Sequence, residues 1–474
     1  MNRSVRCALV AGVVLAVCLA ATAAQITVGP HKTCATIEQG LAKARSGDTV
    51  VVYPREGSKP YERVALRVDK SRITIRGVRD KFDRRVVLGG EGFEYTGKRS
   101  TPRAIVQFEP DADGGTLEGF ELVGAHNAEG NGAGVRINGA SDVTIRDCEI
   151  HACDMGIMSN GDGTAWSASN QRIEGCLIHA NGTQVRPGQN HNLYLGGASA
   201  MVSHSEIASS LTGHNLKSRA RLTLVRYCYI HDSANRELDL VDDRQTARRG
   251  SDAVLLGNVI AKDPNCPGNH SVIHFGQDGG GERNGTLWLI HNTIITPFLS
   301  PVAELSAPKA RVQLINNIIW DGGGNGAGQQ LVQLAGKREI SNNNTVGGSH
   351  NWLSSNFALP SSANLETGYI AAAGEAPPFV DPQRGDFRLR SSDPHLVAAG
   401  LPWASIKSML PTTAAEARLP AELEEYRWPL ARQARPRSRA DTESDLGAFG
   451  FDAKARWPKI LPAENGPDSR PQGH

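Results

Sequence analysis

Four short stretches, "HNLYLGG" (191–197), "HNLKSRA" (214–220), "RELDLVD" (236–242) and "SVIHFGQ" (271–277), align on Leu193, Leu216, Leu238 and Ile273. If these apolar residues point inward, the alternation of an extended strand turns Tyr194, Lys217, Asp239 and His274 outward on one face. Arg219 lies two residues beyond Lys217 on that face. Stacked on successive strands, these groups make a ladder roughly 14 Å long. The preceding stretch "MGIMSNG" has Met158 and Asn160 at the equivalent positions, so the reactive series begins at Tyr194. A phenol, two cations, a carboxylate and an imidazole in one patch exceed what solubility requires, and titratable groups brought close together mark sites.

A long row of hydrogen-bonding groups suits successive sugars of an extended glycan, and Lys217 with Arg219 suits a carboxylate or sulfate. The expected partner is therefore an acidic polysaccharide built from uronic acids. For such a polymer the natural chemistry is β-elimination: neutralise the C5 carboxylate, remove the C5 proton and protonate the departing O4. Arg219 would neutralise, Lys217 or Tyr194 would be the base, and His274 or Tyr194 the acid. His191, Asn192, His214, Asn215, Arg236 and Asp239 would contact substrate. The repeated "HN" pairs also read as turn hydrogen-bonders at the starts of strands. Asp239, one repeat from Lys217, should hold the lysine protonated and make it a poor base. Calcium on Asp239, Asp242 and Asp243 would remove that conflict, whereas "DLVDDR" reads equally well as a solvated turn paired with Arg244. "HFGQDGGGERNG" adds a glycine-rich loop whose Asp278 and Glu282 could form a rim. No GK[ST] follows, so it is not a phosphate loop.

These residues need a scaffold that stacks strands in register. Segments ending in isoleucine supply it: "RDCEI" to Ile150, "EGCLI" to Ile178, "SHSEI" to Ile207, "RYCYI" to Ile230, "LGNVI" to Ile260, "IHNTI" to Ile294 and "INNII" to Ile319. "EGFEL" at Leu122 and "NNNTV" at Val346 extend the series. Spacings of about 23 to 34 residues mark a solenoid. Two positions before each ending stand Phe120, Cys148, Cys176, Ser205, Cys228, Asn258, Asn292, Asn317 and Asn344, which reads as an interior ladder of stacked amides and thiols. Stacked neighbours suit disulfide geometry poorly, so these cysteines are expected to stay reduced. Strands rich in Val, Ile and Thr, turns rich in Gly and Asn, and the lack of helical periodicity predict an all-β fold, a right-handed parallel β-helix of nine or ten coils.

"CATIEQGLAKARSGDTVVVYP" carries Ile37, Leu41 and Ala42 at helical spacing, stopped by Gly47 before a strand. Such a helix would cap the open first coil, whose bare edge would invite aggregation. Beyond Gly348 the repeat weakens. The expected organisation is a leader over 1–24, a capped β-helix over 25–400 and a partly disordered extension over 401–474, where Arg432, Arg435, Arg437 and Arg439 read as a solvated tail.

The opening "TIEQGLAKARSGDTVVVYP", the repeats and the closing "PFVDPQRGDFRLRSSDPHLVAAG" resemble the secreted β-helix proteins of the pectin-lyase-like superfamily over nearly the whole chain. That superfamily includes lyases, hydrolases, epimerases and non-enzymes, so function must come from a site. "LKSRARLTLVRY" further resembles family six polysaccharide lyases of the alginate lyase and chondroitinase B types, and by that likeness Lys217 matches their basic lysine. Their catalytic arginine lies one coil on, where this chain has Arg236 outside the strand.

The N-terminus, with Arg3 and Arg6, an apolar run to Ala20 and then Ala21, Ala23 and Ala24, reads as a secretory signal cleaved before Ala24 or Gln25. A lipoprotein reading at Cys18 meets Val17 where a small residue is preferred. A secreted or periplasmic, monomeric protein without a membrane span is expected. The formal charge of +2 falls to zero once the two leader arginines are removed, so bulk charge does not select a polyanion. Without basic excess or interleaved aromatics, nucleic acid is not an expected partner. The alternatives are a β-helix glycoside hydrolase, a C5-epimerase and a non-catalytic glycan-binding envelope protein. Polygalacturonase-like "NTD" and "RIK" and epimerase "DPHD" patterns are absent.

Overall fold

The computed structural model describes residues 23–298, 300–323, 328–334, 346–358, 363–365, 377, 379–390, 392–411, 419–426, 434–437 and 444–451. The expected leader falls almost wholly outside these residues, as does Asn344. Among the described residues no helix is long and apolar enough to cross a membrane.

The chain winds as a right-handed parallel β-helix. Three long parallel sheets, one of 13 strands and two of 10, form its faces, and the central coils each contribute one short strand to each sheet. Val, Ile and Leu point inward at alternate positions and stack into one continuous core running from Val28 to Leu353. The cap forms as expected. Helix α1 (Ile37–Lys43) starts at Thr36, whose hydroxyl accepts the Gln39 N–H while Gln39 reaches back in a capping box. Ile37 and Gly40 are buried against the first coil, and a Cβ at Gly40 would stand 2.8 Å from Val28 and 2.9 Å from Val50.

The interior column also forms. Cys148, Cys176 and Cys228 are buried free thiols. Above them Asn258, Asn292 and Asn317 each donate a side-chain N–H to the next amide oxygen, at 3.0, 3.1 and 2.8 Å. The upper end differs from the sequence reading. Val346 pairs with Val312 in the first sheet, and Asn351 and Leu353 continue the column. The last coil is longer than the asparagine run suggested.

The C-terminal segment is also a correction where it is described. Helix α2 (Trp403–Met409) and Leu423 cover Tyr227, Leu256, Ile290 and Ile315. Arg437, expected in a solvated tail, is buried and meets His291 Nδ1 at 2.8 Å.

Candidate active site

The third sheet brings the reactive ladder together. Its strands Leu193–Leu195, Leu216–Ser218, Leu238–Val241, Ile273–Gly276 and Ala303–Leu305 are consecutive neighbours. Register pairs Tyr194 with Lys217, Lys217 with Asp239, Asp239 with His274 and His274 with Glu304. Leu193, Leu216, Leu238 and Ile273 are fully buried, so the inward–outward alternation holds. Tyr194, Lys217, Arg219, Asp239 and His274 line a groove of about 700 Å³, together with Met158, His191, His214 and Arg236.

Lys217 sits between two carboxylates, 2.9 Å from Asp239 and 2.7 Å from Asp278. Burial alone would favour the neutral amine, but the two carboxylates outweigh it and hold the lysine above its ordinary value. Lys217 is a stable cation. Burial likewise opposes charge on Asp239, yet His274, His214 and Lys217 keep it well below the usual carboxylate range. Arg219 donates from Nε to the Tyr194 hydroxyl at 2.8 Å and from a terminal nitrogen to Asp278. Lys217 and Arg219 therefore form a cationic fork closed on one oxygen of a loop carboxylate.

Asp278 comes from the glycine-rich loop, and Asp242 shapes that loop. Its carboxylate accepts the N–H groups of Asp278 at 2.6 Å, Gly279 at 3.0 Å and Gly281 at 2.5 Å. A Cβ at Gly281 would stand 2.6 Å from Asp242 Oδ2, so a side chain there would force the carboxylate off the loop. Asp243 caps the short helical turn Arg244–Ala247. The three carboxylates considered for calcium thus face separate partners. Among the described residues no group of three or more His, Cys, Asp and Glu converges as a ligand set. The donor set does not fit the ion, and no step is routed through one.

Asn192 and Asn215, expected to contact substrate, point inward instead. Asn181, Asn192, Asn215 and Glu237 form a second buried ladder, with amide-to-acceptor distances of 2.8, 2.8 and 2.6 Å. Asn192 and Asn215 stand just before the strands, where alternation breaks: Asn192 and Leu193, like Asn215 and Leu216, are consecutive residues that both turn to the core. His191 and His214 stay on the groove side as stacked rings 5.0 Å apart, with His191 also stacked on Tyr194. His191 Nδ1 accepts the His214 N–H at 3.0 Å, which puts the ring proton on Nε2. Burial pushes His214 down to about 4 despite Asp239 nearby, and takes His191 well below its ordinary value. Both are neutral at pH 7. Arg236 reaches Glu304 at 2.7 Å and Ser271 at 2.8 Å on the groove floor.

His274 is held from both sides. Its Nδ1 lies 2.8 Å from Asp239 Oδ1 and its Nε2 2.6 Å from the Ser306 hydroxyl. Ser306 and Glu304 escaped the sequence reading because the strand "VAEL" has no cluster to draw attention. Only the column through His274 could have indicated them.

The chain is thus a right-handed parallel β-helix protein with a polar groove along its third sheet. No family model matches the chain, and no curated protein matches it. Among solved structures it is similar to pectate lyase Pel9A, at 13% identity and a TM-score of 0.48 over 90% of this chain and 96% of that one. It is also similar to alginate lyase from Paenibacillus sp. str. FPU-7, at 15% identity and a TM-score of 0.43 over 74% and 99% of the two chains. DFA-IIIase from Arthrobacter chlorophenolicus A6 without its lid aligns over 74% and 99%, at 10% identity and a TM-score of 0.38. At these values the likeness is one of scaffold.

Proposed function

We propose that the groove binds a uronic-acid polysaccharide and cleaves it by β-elimination. The observation that carries this reading is the fork of Lys217 and Arg219 closed on Asp278 beside Tyr194. Two cations that already grip one carboxylate are built to grip another, and a uronate carboxylate entering the groove would displace the loop's own. Neutralised there, the sugar's C5 proton becomes acidic. Tyr194 is the base, because Arg219 Nε points at its oxygen and stabilises the negative charge that grows as the proton leaves.

Lys217, also considered as base, is held as a cation by Asp239 and Asp278 and serves in the fork. His274 stands three strands from Tyr194, roughly 14 Å along the axis. C5 and the glycosidic O4 are adjacent on one sugar, so base and acid must act from nearly the same place. Tyr194 therefore returns its proton to O4, a syn elimination by one residue. The hydrolase alternative needs a free carboxylate pair flanking the bond; Asp239, Asp242 and Asp243, the carboxylates considered for it, are each bound to cations or backbone amides.

The test follows ultraviolet absorbance from the unsaturated sugar during incubation of the purified full chain with a panel of uronate polysaccharides. Tyr194→Phe, which removes only the hydroxyl, should lower the rate by roughly 10²–10⁴-fold. Arg219→Lys should do likewise while keeping the charge. Elimination that survives in Tyr194→Phe would overturn the assignment, and a flat trace with release of reducing ends would indicate a hydrolase.

A further inference from the structure

Two residues of the groove, His274 and Ser306, have no task in that reaction, and Asp239 joins them to the fork through Lys217. Asp239 Oδ1, His274 Nδ1, His274 Nε2 and Ser306 Oγ form a continuous line with contacts of 2.8 and 2.6 Å. They come from three successive coils: Asp239 and His274 are register partners, and Ser306 follows Glu304 and Leu305 on the next strand. Asp239 is buried and ionised and is also held by Lys217, His274 is 6% exposed, and Ser306 lines the groove. An ionised carboxylate on Nδ1 puts the ring proton there and leaves Nε2 to accept from the serine hydroxyl. The Gln277 backbone N–H points at Ser306 Oγ from 2.7 Å.

We propose that Asp239, His274 and Ser306 form a hydrolytic relay that removes an O-acyl ester from the glycan bound in this groove. Nucleophile, base and orienting carboxylate follow in hydrogen-bond contact, the arrangement that identifies such a relay by geometry and not by chain order. Ser306 Oγ attacks the ester carbonyl and passes its proton to His274 Nε2. A tetrahedral intermediate forms on Ser306 Oγ, which the Gln277 N–H holds in place. As the intermediate collapses, the sugar oxygen leaves with the proton from His274, and the acyl group stays on Ser306. Water then gives a proton to His274 and attacks the acyl carbon. The carboxylic acid departs and Ser306 recovers its proton. Water is the only co-reactant. The close backbone keeps the relay tight: a Cβ at Gly276 would stand 2.1 Å from Ser306 Oγ.

Asp239 is a positioning residue here, acting through His274. The relay shares the groove with the elimination site but its nucleophile follows the fourth strand on from Tyr194, so loss of Ser306 leaves the elimination residues in place, whereas Asp239 also holds Lys217.

The full chain would be treated with a fluorophosphonate probe and mapped by mass spectrometry, and in parallel given O-acetylated and de-acetylated uronate polysaccharide with released acetate measured. One adduct on Ser306 is expected, with acetate release lost at least 10³-fold in Ser306→Ala. Asp239→Asn, judged folded by near-ultraviolet circular dichroism, should slow labelling of Ser306 on the order of 10⁴-fold, because an amide orients the wrong imidazole tautomer. Labelling of the unmodified protein needs no variant to fold. Absence of an adduct on Ser306, or ester hydrolysis that persists in Ser306→Ala, would overturn the relay. The absorbance trace for elimination, read in the unmodified protein and in Ser306→Ala, reports the other site independently.

Discussion

Asp278 is the residue whose role is most sharply divided between structure and substrate. Its carboxylate closes the cationic fork, and it is partly exposed on a loop whose backbone Asp242 gathers. A uronate must displace it. Asp278→Ala should therefore lower KM several-fold for a uronate polymer while leaving the Tyr194 chemistry in place, and should raise the salt sensitivity of binding as the two cations face solvent. An unchanged KM in steady-state kinetics would show that the substrate carboxylate binds elsewhere. Glu237 carries a second residue-scale prediction. Burial pushes it up to about 7 from its ordinary 4.5, against the pull of Lys262. Across that interval the folded protein keeps a proton that the unfolded chain releases. This contribution is full below the unfolded value and is lost as pH rises through the folded one. Urea midpoints should fall between pH of about 5 and 7, and Glu237→Gln should flatten that slope. An identical slope in the variant would remove Glu237 as its cause.

At the scale of elements, close stacking of coils makes small residues and amides structural. A Cβ on Gly213 would lie 1.7 Å from the Asn190 carbonyl, so Gly213→Ala must push the backbone apart where His214 rests on His191. Overpacking of this kind costs about 1–3 kcal/mol, read as a lower denaturation midpoint. Asn292 bridges the column through Asn258, Leu255 and Asn317. Asn292→Ala leaves those buried groups unpaired and should cost about 3 kcal/mol by urea titration, at roughly 1–3 kcal/mol per unsatisfied group. A change below about 0.5 kcal/mol would mean the coils relax to pair them otherwise. The amide column was legible in the sequence because "NN" and "CEI"-like endings repeat. The inward turn of Asn192 and Asn215 was not, because a polar residue beside histidine gives no sign of which face it takes. Alternation from the inward Leu193 and Leu216 would put both asparagines outside, and only the folded chain shows two consecutive inward residues at each strand entry.

For the whole molecule, the C-terminal segment is part of the wall. Trp403, Ile406 and Leu423 cover Leu224, Tyr227, Leu256 and Ile290, while Tyr426, Leu446 and Phe449 cover Tyr229, Val259 and Ile318. Arg437 and Glu424 add polar ties to His291 and His204. Removing residues 401–474 would bare a large apolar face on two sheets, and such faces promote association. The truncated chain should melt at lower temperature and scatter light before it melts. A monodisperse sample with an unchanged melting temperature would show the segment to be dispensable.

Local pattern alone determined the solenoid, its capping helix, the interior thiols and amides, and the outward row of Tyr194, Lys217, Asp239 and His274. Period-two alternation and a coil-length repeat are properties of neighbouring residues, and both can be counted along the chain. Tertiary structure alone decided protonation and partnership. Asp278 meets Lys217 from 61 positions away, Ser306 meets His274 from 32, and Arg437 reaches His291 from 146. Those contacts depend on how loops close over the stacked coils, and no short-range pattern encodes the path of a loop. Charge follows contact, so whether Lys217 is base or cation waited on which carboxylates the fold set beside it.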